Sequence, residues 1–239
     1  MPPWLPNPRD PPSVKLSIIV PALNEAAGIV AALGALAPLR ARGHEVIVVD
    51  GGSTDTTAVL ARPLAERVID APRGRARQMN AGARIASGDV LVFLHADTLL
   101  PEGADRLIER ALGAPDCAWG RFDVRIEGVH PLLPVVAAMM NLRSALTGIA
   151  TGDQAIFVRR AGFAAVGGYP PIALMEDVAL SRALARRARP ARVRERAATS
   201  GRRWETRGVL RTIALMWWLR TRYFCGASPE RLARLYDGG

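Results

Sequence analysis

The sequence predicts an α/β protein with a mostly parallel central sheet that is covered by helices on both faces. Short, β-branched apolar runs recur at residues 16–21, 45–50, 67–70 and 90–94, and such runs are typical of buried strands. Helical patterns lie between them, and strands that alternate with helices form parallel sheets. The composition agrees, because 49% hydrophobic and 23% charged residues in a chain of 239 exclude a disordered, collagen-like or disulfide-rich protein.

The first two strands each lead into a helix. LSIIVP (Leu16–Pro21) precedes a helix that we expect Asn24 to cap and Gly43 to end. EVIVVD (Glu45–Asp50) leads through the loop GGSTD to a helix from about Thr56. Ligands of parallel sheets bind beyond the carboxyl ends of the strands, so Asp50 is expected to face a binding crevice.

Two further strand–helix pairs complete the first half. The strand Arg67–Asp70 precedes a helix over about 74–86, and the strand Val90–Leu94 ends in the sequence HAD. Pro101 suits the first turn of the next helix. Asp97, the acid of HAD, is therefore also expected at the crevice.

The second half does not continue the regular alternation of strands and helices seen in the first half. It contains strand patterns at 118–126 and 154–158 and helical patterns at 131–149 and 176–187. We expect one domain with two halves and two flanking segments. The divisions are a proline-rich flexible leader (1–15), a first half (16–115), a second half (116–205) and a C-terminal amphipathic helix and tail (206–239).

The positive charge of the chain is concentrated near its C-terminus. The net charge is +10, and residues 182–222 hold 13 arginines and two acids, whereas the rest of the chain has 19 basic and 20 acidic residues. Such a segment attracts an anionic partner, which is nucleic acid, lipid headgroups or a diphosphate. A nucleic-acid-binding module would not explain acids at strand ends, so we expect no nucleic acid.

Targeting and membrane features are few. The N-terminal sequence MPPWLPNPRDPPS lacks the apolar region of a signal peptide, and Cys117 and Cys225 have neither disulfide nor metal spacing, which favours a cytoplasmic protein. The apolar stretch Thr212–Leu219 is too short to span a bilayer. Its sequence, TIALMWWL between arginines, suits either a helix at a membrane interface or a core helix whose tryptophans pack inward.

Four clusters of polar residues could carry chemistry, and each also has a structural interpretation. DGGSTD (50–55) suits contact with a ribose or base, or a plain turn with an aspartate cap. HAD (95–97) suits Mg²⁺ or Mn²⁺ held against phosphates, or a turn acid beside a hydrogen-bonded histidine. Glu-Asp (176–177) suits catalysis or a helix-dipole partner, and Arg-Arg-Trp (202–204) suits a phosphate clamp or a solvated arginine face.

In their order along the chain, these motifs resemble a known family. LSIIVPALNE, VIVVDGGSTDTT, RGRARQMNAG, GDVLVFLHADT, VGGYP with MED, and RRW together are similar to the inverting family 2 glycosyltransferases of the GT-A fold. The resemblance extends from about Leu16 to Trp204. It is closest to the short subgroup named as arsenosugar-biosynthesis or radical-SAM/selenodomain-associated glycosyltransferases. It implies that 16–115 binds a nucleotide sugar and that 116–205 binds the acceptor and carries catalysis.

The resemblance implies a role for each matching residue. Asp177 is in the place of the catalytic base. Asp97 is the metal-binding acid of the family's DxD motif, and His95 is the second candidate metal ligand. Acceptor or support roles fall to Asp153, Glu176 and Trp204. The implied donor-binding residues are Pro21, Ala22, Asn24, Glu25, Asp50, Gly51, Arg73, Arg77, Asn80, Ala96 and Arg203.

Two positions depart from the family pattern. His95 stands in the place of the first acid of DxD, where it is a metal ligand, a ribose contact or neither. Ser200 stands in the place of the glutamine of the QxxRW motif, of which Arg203 and Trp204 form the end.

The resemblance implies a metal-dependent, inverting glycosyltransferase. It would move a sugar from a nucleotide-diphosphate sugar, with a UDP-sugar favoured, to a hydroxyl of a small-molecule or lipid acceptor, with Mn²⁺ or Mg²⁺ as cofactor. Peripheral contact with an anionic membrane, at the inner face of the cell membrane, is the alternative to a purely cytoplasmic location. A sugar nucleotidyltransferase would need a Gly-rich loop where this chain has PALNE. A non-catalytic or nucleotide-binding relative would have a broken acid set. Asp50, Asp97 and Asp177 are all present, but His95 in the place of the first DxD acid leaves this alternative open.

Overall fold

The computed structural model describes residues 14–114 and 117–237. The proline-rich leader predicted for 1–15 lies outside the described residues except for Val14 and Lys15. The predicted division between the two halves, at 115 and 116, also falls on residues outside the description. The predicted strands and helices of both halves lie within the described ranges.

The strands form one mixed sheet. Their bounds are β1 Leu16–Ala22, β2 Glu45–Asp50, β3 Arg67–Asp70, β4 Val90–Phe93, β5 Thr98–Leu99, β6 Trp119–Glu127, β7 Ile156–Arg159 and β8 Ala191–Ser200. Their spatial order is β3-β2-β1-β4-β7-β6-β8-β5. Strands β3, β2, β1 and β4 are parallel to one another, and β6 is parallel to β8. The antiparallel strand β7 joins these two parallel groups, and β5 pairs antiparallel with β8.

The helices lie between and after the strands. Their bounds are α1 Ile29–Gly34, α2 Ala37–Ala41, α3 Thr57–Ala61, α4 Arg75–Ile85, α5 Ala104–Ala111, α6 Leu133–Thr147, α7 Arg160–Ala165, α8 Glu176–Ala185, α9 Arg202–Arg207, α10 Val209–Phe224 and α11 Pro229–Asp237. Short 3₁₀ turns occur at Arg62–Leu64 and Gly152–Gln154.

Alternate residues of the central strands pack on opposite faces of the sheet, and this builds two cores. Ile18 and Val48 face a cluster that includes Leu33 of α1, whereas Ile19 and Val49 face a cluster that includes Met79 of α4. Both faces are buried, which is why the central strands are apolar throughout rather than alternating. The α/β prediction is confirmed.

The first-half strands match their predicted bounds to within one residue, but the predicted starts of two helices were wrong. The helix after β1 begins after Gly28 rather than at Asn24, and it breaks before α2 because Pro38 lacks the N–H that a continuous helix needs. The helix α5 begins after Gly103, which is left-handed at φ 66°, so Pro101 precedes the helix and is not in its first turn.

The C-terminal apolar segment does form a helix, but its tryptophans do not pack inward. Trp217 is 60% exposed and Trp218 is 45% exposed on α10. The core-helix alternative is therefore wrong for these two side chains. No helix in the described part of the chain is long and apolar enough to cross a membrane.

Candidate active site

The loops that follow β1 and β2 are joined by hydrogen bonds at the carboxyl edge of the sheet. Asn24, left-handed at φ 54°, donates its backbone N–H to Ser53 Oγ at 2.9 Å, and its Oδ1 accepts the Thr54 N–H at 2.8 Å. The backbone N–H of Glu25 donates to Thr57 Oγ1 at 2.8 Å. These bonds fix where the Glu25 side chain enters the site.

Asp50 is buried beneath its own loop. Its carboxylate accepts the N–H groups of Gly52 and Ser53 at 3.0 and 2.8 Å and also the Ser53 hydroxyl. Next to it, the Gln78 side chain donates to the carbonyls of Ala22 and Val49. A Cβ on Gly51 would lie 3.0 Å from that amide. The carboxylate therefore holds the turn, as the structural interpretation of DGGSTD expected. Pro21 and Ala22 are buried in β1.

A cleft of about 280 Å³ opens beside these loops. Its lining residues are Glu25, Asp97, Arg202, Arg203, Thr206 and Arg207. Burial and the neighbouring Asp97 raise the pKa of Glu25, while Arg202, at 3.7 Å, opposes that rise. Burial, together with Arg75, lowers the pKa of Arg203. The cleft thus combines two acids with an excess of arginines, which suits a ligand that is anionic.

The last helix supports the arginines of the cleft. Arg203 and Arg207 lie over the ring of Tyr236 at 5.0 and 5.7 Å from its centroid. Arg207 also donates to the Tyr236 carbonyl at 2.8 Å. Trp204 points elsewhere, because it packs against the hydrophobic cluster that contains Ile126 and Leu133. The guanidinium groups of α9 therefore face the cleft, while the indole between them contributes to a core.

Asp97 is exposed at the tip of the turn after β4, and Ala96 is buried behind it. The backbone places this residue, since Ser200 donates its N–H to the Asp97 carbonyl at 3.1 Å. The Thr98 hydroxyl lies 3.5 Å from the carboxylate. Asp97 therefore presents an open carboxylate to the arginine-lined cleft.

His95 lies beneath Asp97 and contacts the turn Gly152–Gln154. Its Nδ1 is 3.4 Å from Asp153 Oδ1. Its ring lies so close to Gly152 that a Cβ there would be 2.2 Å from Nε2. Burial acts to raise the pKa of Asp153, but His95, Arg75 and Arg203 outweigh it, so that pKa lies below its ordinary value.

Asp177 is held from the other side of the same turn. Its Oδ2 accepts the Gly152 N–H at 3.0 Å, and its Oδ1 accepts the Val178 N–H at 2.7 Å. Gly152 thus meets the His95 ring on one side and bonds Asp177 through its N–H on the other. The side chains of His95 and Asp177 therefore converge on one three-residue turn.

Glu176 is buried next to Asp177. Burial and the Asp177 charge raise the pKa of Glu176, and Arg75, whose Nη1 lies 3.7 Å from Oε1, opposes that rise. Because Arg75 also acts on Asp153 and Arg203, it is one of the cations that connect Asp153 and Glu176 electrostatically to the cleft.

Three predicted donor residues lie on or just before α4. Arg73 and Arg77 are exposed on either side of Arg75. Asn80 exchanges two hydrogen bonds with the backbone of Tyr169, at 2.8 and 3.0 Å. Its amide therefore ties α4 to the loop before α8.

Sequence reasoning missed Arg75 and Arg143. Within RGRAR, only the direction of α4 decides which arginine faces the acids. Arg143 is the one charged residue of α6, and its Nε and Nη2 are buried without a hydrogen-bond partner. Burial lowers its pKa while Asp177 raises it. A single charge within an apolar helix was the sequence signal that could have identified it.

The described residues contain no group of three or more His, Cys, Asp or Glu side chains that could hold a metal ion by themselves. Mg²⁺-type sites that act on phosphates, however, need only one or two carboxylates, because phosphates and water complete the shell. The open carboxylate of Asp97 beside an arginine-lined cleft fits that kind of shared site.

The fold matches that of GT-A glycosyltransferases. A mannosyltransferase from Pyrobaculum calidifontis, solved with GDP-Man and Mn²⁺, superposes with a TM-score of 0.60 at 24% identity, covering 81% of this chain and 58% of that one. Glucosyl-3-phosphoglycerate synthase from Mycobacterium tuberculosis, solved with Mn²⁺, UDP and its product, gives a TM-score of 0.58 at 20% identity, covering 78% and 72%. At these identities the likeness shows the fold.

The family follows from the sequence. Residues 17–165 match the profile of glycosyl transferase family 2, and the chain belongs to that family. A PGL/p-HBAD biosynthesis glycosyltransferase from Mycobacterium bovis (strain BCG / Pasteur 1173P2) is 43% identical over 98 residues, which cover 38% of this chain and 38% of that relative. The match therefore spans well under half the length of that curated relative.

Proposed function

We propose that this protein is a metal-dependent, inverting glycosyltransferase that moves a sugar from a nucleotide-diphosphate sugar to an acceptor hydroxyl. One observation carries the proposal. The turn at Gly152 contacts Asp177 on one side and His95 on the other. His95 stands two residues before Asp97, whose carboxylate is open to the cleft. A candidate base is thereby fixed close to a candidate diphosphate cleft.

The cleft is the proposed diphosphate site. Arg202, Arg203 and Arg207 supply cationic donors for the diphosphate, and they offset the charge that develops as it leaves. UDP is the favoured nucleotide, and the solved relatives carry UDP or GDP-Man. The nucleotide itself would lie along the loops after β1 and β2. The residues proposed to form the donor pocket, by contact or by shaping its loops, are Pro21, Ala22, Asn24, Glu25, Asp50, Gly51, Arg73, Arg77, Asn80 and Ala96.

The proposed metal is Mn²⁺ or Mg²⁺, held by Asp97 together with donor phosphates. A bound cation of this kind supplies Lewis-acid stabilisation of the leaving diphosphate. Solved relatives contain Mn²⁺. His95 is 3.4 Å from Asp153, so in this structure its Nδ1 is directed at that acid, and we assign it first to positioning the turn.

Asp177 is the proposed general base. It accepts the proton of the acceptor hydroxyl, whose oxygen forms a bond to the anomeric carbon while the bond from that carbon to the diphosphate oxygen breaks. The diphosphate leaves with the electron pair, and the configuration is inverted. Asp153, Glu176 and Trp204 support this half of the site. The acceptor class, a small molecule or a lipid, and the subgroup named for arsenosugar biosynthesis remain predictions.

The decisive variant is Asp177→Asn, which keeps the size of the side chain but removes the basic oxygen. We expect transfer from a UDP-sugar to fall by about 10²–10⁴, whereas UDP affinity stays unchanged because the cleft lies on other elements. Release of UDP measures turnover, and calorimetry measures binding. Glu176→Gln is the control and should have a smaller effect. Near-normal transfer by Asp177→Asn would remove Asp177 from the mechanism.

A further inference from the structure

Two helices leave rows of apolar side chains in solvent. On α6, Val135, Met139, Leu142 and Leu146 are 52%, 46%, 60% and 77% exposed. Their spacing of three and four residues puts them on one face of the helix. That face is separate from the buried one, which carries Leu133, Val136 and Ala137.

The second row lies on α10. Leu210, Trp217 and Phe224 are spaced by seven residues and are 71%, 60% and 51% exposed, with Trp218 beside them. Seven residues make two helical turns, so the three side chains share a face. The opposite face is buried through Thr212 and Leu219.

The two helices are neighbours. Val136 and Ala137 of α6 and Val209 of α10 belong to one hydrophobic cluster, and Ile213 packs against it. The two rows together expose eight large apolar side chains, whereas a soluble monomer typically exposes such side chains singly.

The two helices that carry the rows have charges of one sign. Neither helix contains an acidic residue, and α10 carries Arg211, Arg220 and Arg222. The guanidinium of Arg222 lies 5.5 Å from the Trp218 ring, and that of Arg182 lies 5.2 Å from the Phe224 ring. Aromatic rings beside cations are the composition of segments that lie at a headgroup boundary.

We propose that the exposed faces of α6 and α10 dock on the surface of an anionic bilayer. The apolar rows enter the boundary between headgroups and acyl chains, and the arginines contact lipid phosphates. A two-fold contact with a second copy is disfavoured, because it would bring the same arginines together and neither helix has an acid to pair with them. The opposite, buried face of α10 packs towards the acid pair, since Val178, next to Asp177, and Leu219 of α10 belong to one hydrophobic cluster.

The test is vesicle co-sedimentation of the full chain without donor, so its outcome does not depend on sugar transfer. We expect binding to vesicles of equal parts phosphatidylcholine and phosphatidylglycerol, weak binding to phosphatidylcholine alone, and release in about 1 M salt, where the screening length is about 3 Å. Tryptophan emission should shift to the blue on binding.

Two variants separate the apolar and the charged contributions. The double changes Trp217→Ser with Trp218→Ser, and Arg211→Gln with Arg222→Gln, should each lower partitioning by about tenfold or more. Val59→Ser and Arg84→Gln, which change exposed side chains on α3 and α4, are the matched controls and should bind like the parent.

Three outcomes would overturn the proposal. They are no sedimentation at low salt, equal sedimentation with neutral and anionic vesicles, and a dimer in analytical ultracentrifugation that Trp217→Ser with Trp218→Ser dissociates. The last outcome would assign the face to a second copy of the chain. Circular dichroism of each variant shows that a loss of binding is not a loss of folding.

Discussion

Gly152 has no side chain, and this allows the His95 ring and the Asp177 carboxylate to approach the same turn. The His95 ring packs against it from one side, and its backbone N–H is bonded to Asp177 on the other. The residue therefore sets the spacing between the HAD turn and the proposed base. A side chain at position 152 would therefore displace groups on both the His95 side and the Asp177 side of the turn.

We expect Gly152→Ala to inactivate the protein without unfolding it. The new Cβ would be 2.2 Å from His95 Nε2, so the ring or the turn must move. A displacement of about 1 Å in a catalytic group can cost about 10²-fold in rate. Gly34→Ala, where a Cβ meets nothing within 4 Å, is the matched control. Turnover and melting temperature should be measured for both, and full activity of Gly152→Ala would contradict the positioning role.

Asp97 gives a second prediction. Because its side chain is exposed, Asp97→Asn should leave the melting temperature unchanged, but we expect the enhancement of UDP binding by Mn²⁺ to fall by about tenfold or more. Asp70→Asn, an exposed acid at the end of β3, is the control. Calorimetric titrations of UDP with and without Mn²⁺ decide the point. An enhancement that survives in Asp97→Asn would show that the cation is held elsewhere.

The acids of the site could be predicted from sequence, whereas their cationic partners could not. Asp97 and Asp177 lie in short motifs with a fixed relation to strand or helix ends. Arg75 and Arg143 lie within helices, where function depends on which face points inward. That direction is a property of tertiary packing, as the exposure of Arg73 and Arg77 beside Arg75 illustrates.

Among the secondary-structure elements, the pairing of β6 with β8 depends on a buried ion cluster. Asp123 lies at the register shift between these strands. Its carboxylate accepts hydrogen bonds from Arg121, at 2.5 Å, and from two nitrogens of Arg192, at 2.9 and 2.7 Å. Burial acts to raise the pKa of Asp123, but the two arginines outweigh it, so the pKa lies below its ordinary value.

Asp123→Asn should destabilise the fold by about 3 kcal/mol at pH 7, because it leaves the buried Arg121 without its carboxylate. An aspartate whose pKa is lower in the folded than in the unfolded state stabilises the folded protein at pH values above its unfolded-state pKa, near 4. That stabilisation is lost as the pH falls through the folded-state pKa. The difference in unfolding free energy between parent and variant should therefore shrink below about pH 4. Urea denaturation of parent and variant at several pH values measures this difference in unfolding free energy.

The control for this change lies on the same strand. Glu127 pairs with Arg125 at 2.9 Å, and both side chains are about half exposed, so Glu127→Gln should cost less than about 1 kcal/mol. Equal effects of the two substitutions, or a difference that does not change with pH, would mean that the Asp123 cluster does not stabilise the pairing.

Strands β1, β2 and β4 could be predicted because each contains a continuous apolar run. Strand β8 could not, since its sequence ARVRERAATS is rich in arginine and has a burial pattern broken by the register shift after Phe122. Its place in the sheet is decided by β6, which is distant in sequence. The division of α1 from α2 is, in contrast, encoded locally by Pro38, although the sequence pattern predicts a single helix there.

Across the whole molecule, the charge excess of residues 182–222 supplies part of the candidate site. This segment carries 13 arginines and two acids, and three of those arginines line the cleft. The opposite wall contributes Glu25 and Asp97 from the first half of the chain. The fold thus places the basic segment against acids that are remote in sequence, and a diphosphate can be attracted over a distance before it makes contact.

We therefore expect the affinity for UDP to fall steeply with ionic strength. Raising salt from about 0.1 M to about 1 M shortens the screening length from about 10 Å to about 3 Å, which weakens attraction by arginines that do not touch the ligand. Uridine, which lacks the diphosphate, is the matched ligand control and should bind with little dependence on salt. Calorimetric titrations of both ligands at several salt concentrations, with Mn²⁺ constant, make the comparison. Equal salt dependence for UDP and uridine would mean that the basic segment does not act on the diphosphate, and that its charge is free to serve the membrane surface alone.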